Sequence, residues 1–333
     1  MNQSTSGTAG GWRLAAGVQS TRRTRVWRPD EQALSGDPPL RRYVSPSESP
    51  AAGRQPPGGA SPASPARAGA ALLARLRRLV HQRTGIHLTP EKDVLVTSRL
   101  MKRLRALGLS SFKEYLSLIE RDRAGGEIAS MIDALTTNKT SFFRESRHFD
   151  CLRALVLPSL RQRKRIRIWS AGCSTGEEPL SLAMVLREGI PDVDRRDLRI
   201  LATDISRQVL ERARQGIYDV AQLQAVPALL RERYFTCMPS RLYRAQDSVL
   251  RLVSWARLNL VDDWPMQGPF DVIFCRNVMI YFDRPTQERL VERFARMLRP
   301  GGYLFVGLSE SSSAASGGLD YVEPAVYLRQ ARP

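Results

Sequence analysis

The sequence predicts an α/β protein: a doubly wound, largely parallel sheet with a small antiparallel β insert, preceded by a small all-helical domain. Three observations carry this. Apolar residues recur at three- and four-residue steps from Leu72 to Val80, the period of an amphipathic helix. From residue 166 onward short apolar runs alternate with helical patterns, as they do around a parallel sheet. Between Gly216 and Trp255 that alternation lapses, which marks an insertion.

Residues 1–68 are rich in Pro, Gly, Ser and Arg and carry no hydrophobic period, so they are expected to be a disordered tail. The helical domain spans 69–123. Its first helix starts near Ala70 and stops at Gly85. Thr89-Pro90 supplies an N-cap with Pro at the first helical position, opening a helix to Gly108. Val94, Thr97, Met101 and Leu104 are its expected core face, and Arg99, Lys102, Arg103 and Arg105 project elsewhere. Ser111 and Glu114 form a capping box for a third helix. Residues 124–137 are taken as a linker that includes a helical pattern from Glu127 to Leu135.

The sheet domain is expected over 138–333, with the β insert at about 216–258. Ile166–Trp169, Leu198–Thr203, Phe270–Phe274 and Tyr303–Val306 are its strands. Helices follow at Pro179–Glu188 and Ser206–Arg214, and another ends near Arg299. Val249–Val253 is assigned to the antiparallel insert.

The chain has 333 residues, 42% of them apolar, with 51 Lys and Arg against 33 Asp and Glu, a net charge of +18. The apolar share excludes a wholly disordered chain. No uncharged apolar run approaches the ~18–20 residues of a membrane span. The first residues lack an apolar signal core and meet Arg13 early, which points to a cytoplasmic protein. Four scattered cysteines without CxxC spacing and only three histidines argue against a disulfide framework and a zinc site. Of the net charge, +5 lies in residues 1–68, +7 in residues 69–105 and +6 in all that follows.

Ser170 to Pro179 joins the first strand to its helix, and Gly172 and Gly176 permit a tight turn with close backbone approach. Glu177 and Glu178 would repel a pyrophosphate, so the turn favours a ligand bearing positive charge. Asp204, ending the second strand, suits ribose hydroxyls. Capping the next helix is its plain alternative. Together these acids point to S-adenosylmethionine, which joins an adenosine to an ammonium and a sulfonium. Ligands of open α/β sheets sit beyond the strand carboxyl ends, which places Arg276, Asn277 and Tyr281 nearby.

Ordered matches over about residues 70–333 extend this reading: LVTSRLMKRLRALGL (95–109), TTNKTSFFRESRHF (136–149), WSAGCSTGEEPLS (169–181), ATDIS (202–206), RARQGIYD (212–219), NLVDDWP (259–265), FDVIFCRNVMIYFD (270–283) and RPGGYLFVGLSES (299–311). Through them the chain resembles the CheR-type chemotaxis receptor protein-glutamate O-methyltransferases. The resemblance implies a Rossmann-like methyltransferase domain over 138–333. It implies cofactor contacts from Asn138, Thr140, Arg144, Glu178, Asp204, Asn259, Leu260, Arg276 and Asn277. Arg144 and Tyr281 match the family residues nearest the transferring methyl, the expected catalytic pair.

The implied acceptor is a glutamate on the cytoplasmic helices of a methyl-accepting chemotaxis receptor. Arg99, Lys102, Arg103 and Arg105 are the expected docking charges for that acidic region. No glycine lies between Gly216 and Gly268, unlike family members whose glycine-bearing hairpin grips a receptor tether peptide, so tether independence is expected. The expected protein is a monomer that needs no metal, enters no membrane and binds no nucleic acid. Two other functions stay open: an S-adenosylmethionine-dependent methyltransferase acting on nucleic acid, and a non-catalytic cofactor-binding signalling module.

Overall fold

The computed structural model describes residues 65–122, 125–311 and 318–330, with side chains from residue 69. The tail expected over 1–68 lies almost wholly outside the described residues.

Four helices build the first domain: α1 (Pro65–Thr84), α2 (Asp93–Ala106), α3 (Phe112–Arg121) and α4 (Gly126–Leu135). Leu76 and Val80 of α1 meet Val96, Leu100 and Leu104 of α2, Tyr115 and Ile119 of α3, and Met131 and Ile132 of α4 in one core. The expected face of α2 needs correction. Val96, Leu100 and Leu104 stack at four-residue steps and are buried, whereas Val94 is 82% exposed. Leu104 alone belongs to both sets, because the apolar residues of this helix surround it and only its neighbours select a face. Ser111 caps α3 by accepting from the Glu114 amide at 3.2 Å, but the Glu114 carboxylate turns to Ser110 instead of returning to the Ser111 amide. Asp122 accepts from the amides of Glu127 and Ile128 at 2.7 and 2.9 Å, so the start of α4 is capped by a side chain. The stretch taken as a linker is thus largely helix, packed into the first domain.

Helices α5 (Ser146–Cys151) and α6 (Leu157–Arg161), joined by a π turn at Leu152–Val156, lead into the sheet domain. There follow β1 (Arg165–Ala171), α7 (Glu177–Gly189), β2 (Asp197–Asp204) and α8 (Arg207–Gln215). Three short strands, β3 (Ile217–Tyr218), β4 (Phe235–Cys237) and β5 (Tyr243–Ala245), form an antiparallel sheet in the order β3-β5-β4, with α9 (Ala228–Tyr234) between the first two. The chain returns through α10 (Asp247–Leu250), β6 (Val253–Arg257), β7 (Phe270–Cys275), α11 (Arg284–Met297), β8 (Leu298–Val306), β9 (Asp320–Glu323) and β10 (Val326–Leu328).

The main sheet runs β6-β2-β1-β7-β8-β10-β9. Strands β6 to β8 in that order are parallel, and β10 and β9 close the edge antiparallel. Val249–Val253 is not part of the antiparallel insert. Val249 and Leu250 end α10, and Val253 opens β6, which pairs parallel with β2 from Ile200↔Val253 to Asp204↔Arg257. A run of alternating apolar residues fits either sheet, and long-range pairing chose the larger one.

The chain runs outward from β1 through β2 to β6, then crosses to β7 and β8 on the other side of β1. The reversal lies between β1 and β7, where an open α/β sheet leaves a crevice beyond its strand ends.

Candidate active site

A cavity of about 330 Å³ opens at that reversal, between the strand ends of the sheet domain and helices α1 and α2 of the first domain. Asn138, Thr140, Arg144, Glu178, Asp204, Asn259, Leu260, Arg276, Asn277 and Tyr281 all line it. The sheet brings these residues together because β1, β2 and β7 end at one level, each handing over to a loop that turns into the crevice.

The turn after β1 begins at Gly172, whose φ of +82° is costly for a residue with a Cβ. A Cβ there would also stand 2.3 Å from Val278 Cγ2, so the backbone approaches the loop after β7 as only glycine allows. Gly176, at φ +98°, ends the turn and starts α7. Of the two acids that follow, only Glu178 faces the cavity. Glu177 accepts from Thr175 Oγ1 at 2.7 Å, and burial pushes its pKa up. The Glu178 carboxylate accepts from Ser170 Oγ at 2.6 Å and from Arg276 Nε at 2.7 Å.

Arg276 is the hub of the buried end. Besides Glu178 it donates to the Arg144 carbonyl at 2.6 Å and to His148 Nδ1 at 3.1 Å, and its guanidinium lies over the Phe149 and Phe274 rings. Burial and the Arg276 charge depress the His148 pKa to about 4, so the imidazole is neutral near pH 7 and can accept that hydrogen bond. Asp204 accepts from the amides of Ser174 and Ser206, both at 2.9 Å. Burial raises its pKa against those amides. Ser206, not Asp204, caps α8.

Asn277 follows β7 at φ +59°, a left-handed conformation that Asn tolerates better than most residues. Glu310 holds it there. Its buried carboxylate accepts from the Asn277, Gly307 and Ile280 amides at 2.8, 2.6 and 3.1 Å. Asn277 Nδ2 donates to Glu145, while its Oδ1 is buried without a partner. Sequence reasoning passed over Glu310, Glu145, His148, Ser170 and Ser174 as site-building residues. All five lie within the matched stretches, but their roles depend on chain segments that meet only in the fold.

At the open end, Tyr281 donates its hydroxyl to the Thr137 carbonyl at 3.1 Å. Burial raises its pKa, with Arg144 and Arg99 pulling it back. Arg144 donates to the Lys139 carbonyl at 2.8 Å. Asn259 donates to the Arg83 carbonyl at 2.9 Å, fastening the end of α1 to the sheet domain. The four expected docking cations separate. Arg99 lines the cavity and donates to the carbonyls of Leu135 and Thr136 and to Thr137 Oγ1. Arg103 makes a two-point ion pair with Glu127, so its charge is already matched. Lys102 and Arg105 are exposed on α2.

Residues 71–136 match the family described as CheR methyltransferase, all-alpha domain, and residues 138–325 match CheR methyltransferase, SAM binding domain. The chain belongs to the CheR family. It is 45% identical to a probable chemotaxis protein methyltransferase of Rhizobium etli, over 71% of this chain and 90% of that protein. It is 44% identical to chemotaxis protein methyltransferase 2 of Pseudomonas aeruginosa, over 76% and 91%. With the chemotaxis protein methyltransferase of Escherichia coli it shares 43% identity over 72% and 84%. The boundary between the two CheR domains falls at residue 137, directly after α4. CheR membership and the SAM-binding domain make this chain an S-adenosylmethionine-dependent methyltransferase. No described helix is long and apolar enough to cross a membrane.

Proposed function

We propose that this protein transfers the methyl group of S-adenosylmethionine to glutamate side chains on the cytoplasmic helices of methyl-accepting chemotaxis receptors, yielding glutamate methyl esters and S-adenosylhomocysteine. The polarity of the cavity carries the reading. Its buried lining holds the carboxylates Glu178 and Asp204 against one cation, Arg276, and its exposed or half-exposed lining holds four cations, Lys92, Arg99, Lys139 and Arg144. Such a site favours a cationic group inside and an anionic one at the mouth.

The residues fit the cofactor. Asn277 offers a buried oxygen without a partner beside the crevice, and Glu178 and Asp204 place two carboxylates in its wall. Glu178 and Asp204 would hold its ammonium and ribose, with Asn138, Thr140, Asn259, Leu260, Arg276 and Asn277 completing the wall. When bound, S-adenosylmethionine supplies an electrophilic methyl on a sulfonium. The acceptor needs no general base, because a glutamate with a pKa of about 4.3 is ionised at neutral pH. What remains for the protein is placement and exclusion of water. Arg144 orients the incoming carboxylate, Tyr281 shapes the approach to the methyl, and the neutral His148 supports Arg276 without taking a proton.

Incubation with methyl-labelled cofactor and receptor cytoplasmic fragments tests the reading. Label should appear on glutamate as a base-labile ester. Alkali-stable label, or label on nucleic acid in its place, overturns it. The enzyme is further read as a cytoplasmic monomer independent of a receptor tether peptide. The β4–β5 hairpin supports that independence, because its loop of Met238 to Leu242 contains no glycine and places Arg241 at φ +58°. Saturable binding of a receptor C-terminal pentapeptide would sink it.

A further inference from the structure

The chain has three histidines. His148 is buried against Arg276, and the other two converge at the seam between the two domains. His81 lies in the last turn of α1. Gly85, at φ +72° with its amide bonded to the His81 carbonyl, ends that helix and turns the chain back. Ile86 then bridges to Phe282, and the His87 amide donates to the Tyr281 carbonyl at 2.7 Å. These contacts bring His87 beside Asp283, the N-cap of α11. The donor atoms of His81, His87 and Asp283 lie within 4.8 Å of one another, and His81 Nε2 stands 3.1 Å from Asp283 Oδ2.

We propose that His81, His87 and Asp283 form a binding site for a divalent transition-metal ion of the zinc class. Two ligands of a tetrahedral zinc ion at about 2.0–2.1 Å stand about 3.3 Å apart, close to the spacing His81 and Asp283 already hold. His87 is exposed, and rotation of its side chain closes the remaining gap. Asp283 is prepared for a single-oxygen contact: its Oδ1 accepts from the Thr286 amide at 3.0 Å, which leaves Oδ2 for the ion. Two imidazoles and one carboxylate select zinc, nickel or copper over magnesium and calcium, which prefer all-oxygen shells. The His87 ring stands edge-on to His81, with centroids 6.1 Å apart, so all three side chains share one spot.

His81 and Asp283 are 202 residues apart in the chain, so no local spacing announces the cluster. An ion here ties the end of α1 to the segment that immediately follows Tyr281. Ile86, Tyr281 and Phe282 line the methyltransferase cavity, so occupancy stiffens one of its walls.

Titration of the untagged full chain with zinc chloride, followed by calorimetry, tests the site. One ion should bind per chain, and His87→Gln and Asp283→Asn should each weaken binding at least about tenfold. Zinc should raise the melting temperature of the wild type and not of His87→Gln. The exposed position of His87 lets that variant fold, which circular dichroism checks. Absence of saturable one-to-one binding by the wild type overturns the proposal, as does equal zinc affinity in folded His87→Gln, whatever groups then hold the ion.

Discussion

The buried and open ends of the cavity carry charge in different ways. At the buried end Glu178 and Arg276 compensate each other, and Arg276 also donates to the Arg144 carbonyl and to His148. At the open end Arg99 and Arg144 donate to backbone carbonyls, which carry no net charge. A charge paired inside the protein costs stability when its partner is removed, because desolvation is no longer offset. The buried end therefore carries structural weight, and the rim carries little.

The largest test of this contrast is Arg276→Ala. It leaves Glu178 as an unpaired buried carboxylate and should lower unfolding free energy by about 3–5 kcal/mol, measured in urea. A loss below about 1 kcal/mol would show that the pair does not anchor the site. Arg144→Ala should do the opposite, lowering kcat/KM for a receptor fragment about 100-fold while barely moving the urea midpoint. Near-normal methylation by a well-folded Arg144→Ala protein would remove the rim from the chemistry.

Protonation probes the buried end more gently. The His148 pKa falls from 6.5 to about 4 on folding, so the unfolded chain binds more protons between those values. This group's contribution makes the native state progressively less stable as pH drops through that window and is neutral above it. His148→Gln should flatten that slope relative to wild type, and unchanged pH curves for the two proteins would contradict the assignment. The smallest effect belongs to the exposed face of α2. Lys102→Ala with Arg105→Ala should slow association with an acidic receptor fragment about threefold at low salt and much less at high salt. Equal rates across ionic strength would leave those residues without a docking role.

Much of the site could be read along the chain. Gly172, Glu178, Asp204, Arg276, Asn277 and Tyr281 sit at strand ends, and in a parallel sheet every strand end opens toward the same crevice. Arg99 and Arg103 show where that reading stops. Both are arginines on one basic helix, yet one enters the cavity and the other is matched by Glu127. Their helical spacing is legible, but their partners lie on α4 and the loop behind it. Glu310 is legible as an acid just after a strand, yet two of the three amides it holds lie 30 and 33 residues away.

By itself the sequence determined the helices of the first domain, the alternation of the main parallel strands with helices, and the glycine turn after β1. These follow from local periodicity and backbone conformational limits, which act within a few residues. The tertiary structure alone decided which face of α2 is buried, that Val253 opens a parallel strand, and that His81 and His87 meet Asp283. Each of those depends on which distant surface an element packs against, and burial of apolar area is indifferent to separation along the chain.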